Sequence, residues 1–233
     1  MKINNKVVIV TGASSGIGRA TAELFGKNGA KVALAARSAD KLEEISASIA
    51  DSFVVPVDIT KPDEVRQMVQ KTHDHYGRLD ILINNAGRGL RSPIEHIDLD
   101  DFAYIMSLNV YGPLVAMQSA IPIMRKQGGG TIVNISSQVA RGTYPGLSAY
   151  AATKSALTMI SLIARKELAE DGITVSVVYP RMTATDFRKH SLLSKVEVKM
   201  PELPAMTKAD SPEKVASKIL EIVETGAAEI ILE

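Results

Sequence analysis

Thr11-Gly12-Ala13-Ser14-Ser15-Gly16-Ile17-Gly18 follows directly on the apolar run Val7–Val10 and opens a stretch with apolar residues at Ile17, Ala20 and Leu24. The order is therefore strand, glycine turn, helix. A run that is apolar at every position suits a strand buried on both faces, as in a parallel sheet. Glycine allows the tight turn and lets backbone amides approach a pyrophosphate, whose charge is favoured by the free N–H groups at a helix N-terminus. Gly12, Gly16 and Gly18 thus read as a phosphate cradle, with Ser14, Ser15 and Ile17 between them. The spacing is G-x-x-x-G-x-G, and a plain glycine turn stays open as the alternative, because no such string is specific alone.

Further along, apolar β-rich runs recur at Val32–Ala35, Phe53–Val57, Ile81–Asn84, Thr131–Ile135, Thr174–Val178 and Glu229–Leu232. Between them apolar residues fall at helical spacing, as in Leu42, Ile45, Ile49 and in Ile219, Ile222, Val223. This alternation predicts an α/β fold: a doubly wound, seven-stranded parallel sheet with helices on both faces. No repeat or linker splits the chain, so residues 1–233 read as one domain. Its cofactor half is about 1–130 and its catalytic and substrate half about 131–233. The least regular part, about 181–212 with Pro201 and Pro204, reads as a lid, since long loops in compact domains are usually functional. In an open parallel sheet, ligands bind at the carboxyl ends of the strands.

Composition narrows the partners. Twenty-seven Lys and Arg stand against 26 Asp and Glu, which argues against nucleic acid or an anionic membrane as the partner. There is no cysteine, so disulfides, thiolate metal sites and a cysteine nucleophile are excluded, and a cytoplasmic location fits. The N-terminal apolar run is too short for a signal-peptide core, and no later run has the length of a membrane span. No metal is expected: His73 and His75 are two apart on a predicted helix, and His96 and His190 are isolated.

Chemistry-bearing residues cluster after strands. The second run ends in Arg37-Ser38 where a carboxylate would select NAD. A guanidinium there could meet the 2′-phosphate of NADP, with Ser38 as a further donor, so NADP(H) is the expected cofactor and NAD(H) the lesser one. Asp58 follows the third run, and Asn84-Asn85-Ala86-Gly87 closes the fourth. Ser137 follows the fifth, with Tyr150 thirteen residues on and Lys154 four beyond it. A separation of four puts Tyr150 and Lys154 on one helical face, where an ammonium would favour the phenolate of a tyrosine whose ordinary pKa is about 10.

Taken together, these residues resemble the short-chain dehydrogenase/reductase family in its shorter form, with a Rossmann-type fold. TGASSGIG resembles its cofactor loop, NNAG its fourth-strand motif, NISS its serine strand and Tyr150-Ala151-Ala152-Thr153-Lys154 its catalytic helix. The resemblance covers about residues 5–232. It implies an NADP-dependent oxidoreductase acting on CH–OH donors, with hydride passing between the nicotinamide and a carbonyl or secondary alcohol. Tyr150 would move the proton, Ser137 hold the substrate oxygen, and Lys154 lower the tyrosine pKa and hold the ribose. Asn109 resembles the helix asparagine whose carbonyl anchors a relay water. Cofactor contacts implied are Gly12, Ser14, Ser15, Gly16, Ile17, Gly18, Arg37, Ser38, Asp58, Ile59, Asn85, Ala86, Gly87, Tyr150, Lys154, Pro180, Thr183 and Thr185. Arg181 departs from the family pattern, which has glycine there, and puts a cation near the substrate side.

Substrate contacts are expected from Gly89, Leu90, Gln138, Tyr144, Arg181, Met182 and Phe187, with Arg88 and His190 nearby. Arg88, Arg91, Arg141 and Arg181 together suggest an acidic or polar small-molecule carbonyl. The resemblance also implies a homo-oligomer, a dimer or a homotetramer, pairing helices around Asp101–Lys126 and Ser148–Leu168. Two other functions stay open: a catalytically silent NADP-binding sensor or scaffold, and a nucleotide-sugar epimerase or dehydratase.

Overall fold

The apolar runs become strands that alternate their side chains between two helical layers. In the computed structural model, which describes residues 2–197 and 209–233, these are β1 (Val7–Thr11), β2 (Lys31–Ala36), β3 (Ser52–Pro56), β4 (Ile81–Asn84), β5 (Leu90–Arg91), β6 (Gly130–Ile135), β7 (Ile173–Tyr179), β8 (Leu192–Leu193) and β9 (Glu229–Ile231). Seven of them form one sheet in the order β3-β2-β1-β4-β6-β7-β9, every pair parallel. The helices are α1 (Gly16–Lys27), α2 (Ala39–Ser46), α3 (Pro62–Tyr76), α4 (Leu99–Met106), α5 (Gly112–Lys126), α6 (Ser148–Glu167) and α7 (Pro212–Thr225).

Period two along β1 divides the core. Val8 and Val10 join Phe25, Leu34, Ile45, Ile219 and Val223 on one face. Val7 and Ile9 join Val65, Met68, Met117 and Ala120 on the other. A strand with apolar groups on both faces is buried only when helices cover both, which is why the unbroken apolar runs report a doubly wound sheet. The chain reverses its winding between β1 and β4, and this switch point opens a crevice at the strand ends.

Thr11 closes that crevice from below: its hydroxyl accepts from the amides of Asn85 (2.9 Å) and Ala86 (3.0 Å) and donates to the Ile83 carbonyl (3.2 Å). Of the expected lid, residues 181–197 and 209–212 are described, while Pro201 and Pro204 lie outside the described residues. The strands β5 and β8 pair in parallel, Leu90 with Leu192, and so lay the start of this segment against the loop after β4. Among the described residues, no helix is long and apolar enough to cross a membrane.

Candidate active site

Gly12 and Gly16 hold φ of +67° and +53°, the left-handed region that favours glycine. Gly18 is required for proximity instead, since a Cβ there would stand 2.2 Å from the Gly12 carbonyl oxygen and 2.6 Å from Asn85 Nδ2. Helix α1 therefore starts hard against the end of β1. Ser15, exposed at its N-cap, makes no side-chain capping bond, and no acidic residue occupies the first turn. The amides of that turn beside Ser14 thus meet no carboxylate from the turn itself, a cradle that suits a pyrophosphate.

At the end of β2, Arg37 and Ser38 are exposed. Against the effect of burial, the Thr60 hydrogen bonds and, to a smaller extent, the Arg37 charge hold the Asp58 carboxyl below the usual range. Ile59 is buried, and Gly112 must lack a side chain because its Cβ would lie 2.3 Å from Ile59 Cγ2. Asn85 faces inward, its amide donating to the Thr11 carbonyl at 2.9 Å. It serves as a lock between β1 and β4, leaving Ala86 and Gly87 along the crevice.

Helix α6 carries Tyr150 and Lys154 to the end of β6. Tyr150 is 9% exposed, and burial pushes its phenol up to about 12, only partly opposed by a hydrogen bond with Ser137. The sequence argument expected Lys154 to pull the phenol down. Instead, burial lowers Lys154 itself to about 8, and its Nζ donates to the Ile135 carbonyl at 2.8 Å. Both groups sit in the same water-poor crevice, where desolvation disfavours the charged form of each. Ser137 Oγ accepts from the Val139 amide at 3.3 Å, which orients the hydroxyl beside the phenol.

Asn109 is fully buried in a π-helical turn, Ser107–Tyr111, between α4 and α5. Its Nδ2 donates to the Arg88 carbonyl (2.9 Å) and Thr153 Oγ1 (3.0 Å), and its Oδ1 accepts from the Arg88 amide (3.0 Å). The side chain is thus a clamp joining the loop after β4 to the Tyr150 helix. A Cβ on Gly87 would lie 3.1 Å from Asn109 Oδ1 and 3.4 Å from Lys154 Nζ, so these three residues form one wall of the crevice.

The expected substrate residues separate into two groups. Phe187 lies over Tyr150, ring centroids 5.8 Å apart, and would be 3.3 Å from a Cβ on Gly89, so it spans the mouth between the β4 loop and α6. Tyr144 lies in the loop between β6 and α6, beside Gly142, and Met182 follows Arg181 with its sulfur near Arg188 Nη1 at 3.4 Å. Others turn away. Leu90 is buried in a small cluster with Ile105 and Ala149. Gln138 donates to the Leu232 carbonyl, binding the site loop to the residue just after β9. Arg181, expected near the substrate, instead grips Asp210 with Nε at 2.9 Å and Nη2 at 3.1 Å. Arg141 lies 5.3 Å over the Tyr179 ring, and Arg88 donates to the His190 carbonyl. Arg88, Arg141 and Arg181, all of which suggested an acidic substrate, are therefore engaged with protein groups.

Beyond the substrate side, Pro180 is buried with its carbonyl accepting from the Gln138 amide at 3.0 Å. Thr183 Oγ1 donates to the Arg181 carbonyl at 3.1 Å, and the Thr185 methyl would be 2.9 Å from a Cβ on Gly16. Thr185 thus borders the glycine turn. Sequence reasoning missed Thr11, Thr153 and Asp210. Thr11 belongs to the Thr-Gly pair and was readable there; Asp210 sits in no motif and carries no local signal.

This constellation, on this sheet, is that of a nicotinamide-dinucleotide oxidoreductase. A model of the short chain dehydrogenases matches residues 6–195, and the chain belongs to that family, which generally binds NAD(P)(H). It is similar to an uncharacterized oxidoreductase of Staphylococcus saprophyticus, 38% identical over 192 residues, covering 81% of this chain and 78% of that protein. A Staphylococcus aureus uncharacterized oxidoreductase is 37% identical over 185 residues, covering 78% and 80%. Among solved structures, a short-chain dehydrogenase from Streptomyces avermitilis superposes with TM-score 0.90 at 31% identity, covering 99% of this chain and 88% of that one. A 3-ketoacyl-(acyl-carrier-protein) reductase from Brucella melitensis, complexed with NADH, gives TM-score 0.86 at 25% identity, covering 98% of each chain.

Proposed function

We propose that this oxidoreductase is NADP(H)-dependent and interconverts a carbonyl compound and its secondary alcohol, with Tyr150 as the proton donor and acceptor. The observation that carries the reading is the buried Tyr150 phenol, with Ser137 beside it and, one helical turn on, Lys154, whose Nζ stands next to Gly87. The cofactor, when bound, supplies or accepts the hydride. With its pKa near 12, Tyr150 keeps its proton at neutral pH and is ready to give it to a carbonyl oxygen. Ser137 would donate to the same oxygen and fix its position. Phe187, over the phenol, would limit access of water.

Lys154 has three donors, of which one is on Ile135, and the ribose hydroxyls would take others. Gly12, Ser14, Ser15, Gly16, Ile17 and Gly18 would hold the pyrophosphate, Asp58 and Ile59 the adenine, Ala86 and Gly87 the ribose, and Thr183 and Thr185 the nicotinamide end. Arg37 and Ser38, exposed where a carboxylate would select NAD, support NADP. Phe187 and the engaged arginines favour an uncharged carbonyl with an apolar group. An outward stripe on α6, with Met159 58% and Ile163 49% exposed, supports association of copies into a dimer or tetramer.

Tyr150→Phe tests the reading. NADPH oxidation over an aldehyde and ketone panel should fall by about 10²–10⁴-fold while NADPH binding persists. Near-full turnover in the variant would refute it.

A further inference from the structure

We propose that Asp210 is a positioning residue for the dinucleotide, acting through Arg181 to hold Met182–Thr185 against the glycine turn. The proposal rests on the reading of Thr183 and Thr185 as cofactor contacts. Asp210 precedes α7 and its side chain is only 3% exposed. A carboxylate so buried persists as an ion only when paired. Here Arg181 embraces it through two nitrogens, and Lys214 Nζ adds a third contact at 2.7 Å. Arg181, with Lys214 adding to it, holds the Asp210 carboxyl below the usual range.

The backbone repeats the connection. Asp210 N donates to the Met182 carbonyl at 2.9 Å, and Ala184 N donates to the Asp210 carbonyl at 2.8 Å, so Thr183 and Asp210 form a parallel bridge. Side chain and main chain together fasten both ends of the 181–212 segment to each other, beside β7. What they fasten is the stretch bearing Thr185, whose methyl borders Gly16. A cleft lined by Ser15, Gly16, Arg19, Ala184, Thr185 and Pro212 separates the two sides. Its width depends on where residues 182–185 stand, and that is set by the Asp210 cluster. A glycine at 181 would leave Asp210 with Lys214 alone, half exposed on a neighbouring helix.

NADPH fluorescence titration decides the matter, with kcat measured at saturating NADPH and the melting temperature recorded for each variant. Asp210→Asn keeps the size and removes the charge; it should weaken NADPH binding about tenfold or more, with kcat changed less than about twofold. Arg181→Met should do the same, and Arg181→Met with Asp210→Asn should be no weaker than either alone, since they share one interaction. Arg181→Lys should recover part of the affinity. Should Asp210→Asn fail to fold, Arg181→Met decides by the same criterion, with Lys214 still paired to Asp210. Wild-type binding with an unaltered Kd in both single variants overturns the role of Asp210 alone. Failure of the wild type to bind NADPH or NADH would overturn the dinucleotide reading and this role with it.

Discussion

Lys154→Met isolates the electrostatic cost of the crevice. Burial lowers the lysine to about 8 from the ordinary 10.5. Below pH 8 both folded and unfolded chains carry the proton, and the whole cost of burying the charge is present. Between pH 8 and 10.5 the unfolded chain binds the proton and the folded chain has lost it, so the stability contributed by this group rises with pH through that window. Each tenfold in proton affinity is about 1.4 kcal/mol, which makes the cost about 3 kcal/mol at pH 7. Methionine has no such titration, and the hydrogen bond to Ile135 that it loses enters as a constant. The unfolding free energy of wild type minus variant should therefore rise by about 2–3 kcal/mol between pH 7 and pH 10. The assay is urea denaturation without cofactor at each pH, with the slopes compared for constancy. The raised Tyr150 acts in a separate window: its contribution is present below 10 and is lost only as pH climbs toward 12. A difference that stays flat within about 0.5 kcal/mol, or one that falls with pH, refutes the reasoning.

Arg37→Asp should invert the cofactor preference, read as the ratio of kcat/KM for NADPH and NADH; an unchanged ratio means another group reads the phosphate. Gly18→Ala drives a Cβ to 2.2 Å from a backbone oxygen that cannot swing away. The expected loss is about 1–3 kcal/mol in chemical denaturation, and a variant as stable as wild type would count against the close approach of α1 to β1. Phe187→Ala should raise KM about tenfold or more for ketones with bulky apolar groups while leaving small aldehydes nearly unchanged; equal effects on both would remove Phe187 from substrate selection.

The sheet was legible because each strand announces itself locally. Val7–Val10, Val32–Ala35 and Ile81–Ile83 are buried on both faces and so are apolar throughout, and the structure extends them by a residue or two at most. The glycine turn was legible for the same reason, since positive φ at Gly12 and Gly16 is a demand on single residues. The strands β5 and β8 were not, being two residues each and formed only by pairing Leu90 with Leu192, about a hundred residues away.

The chemistry-bearing side chains divide along the same line. Spacing alone put Tyr150 and Lys154 on one face of one helix, because four residues make about one turn. Their protonation needed the folded crevice: the same two groups that sequence reasoning coupled through charge are governed by burial, which raises one and lowers the other. Likewise Arg181 carries its charge in the sequence but finds its partner, Asp210, only in the fold. What the sequence by itself determined were the elements, their order and the residue types at the strand ends, which follow from local periodicity and backbone demands. The tertiary structure decided which charges are already satisfied and which groups are cut off from water, since both depend on segments brought together from distant parts of the chain.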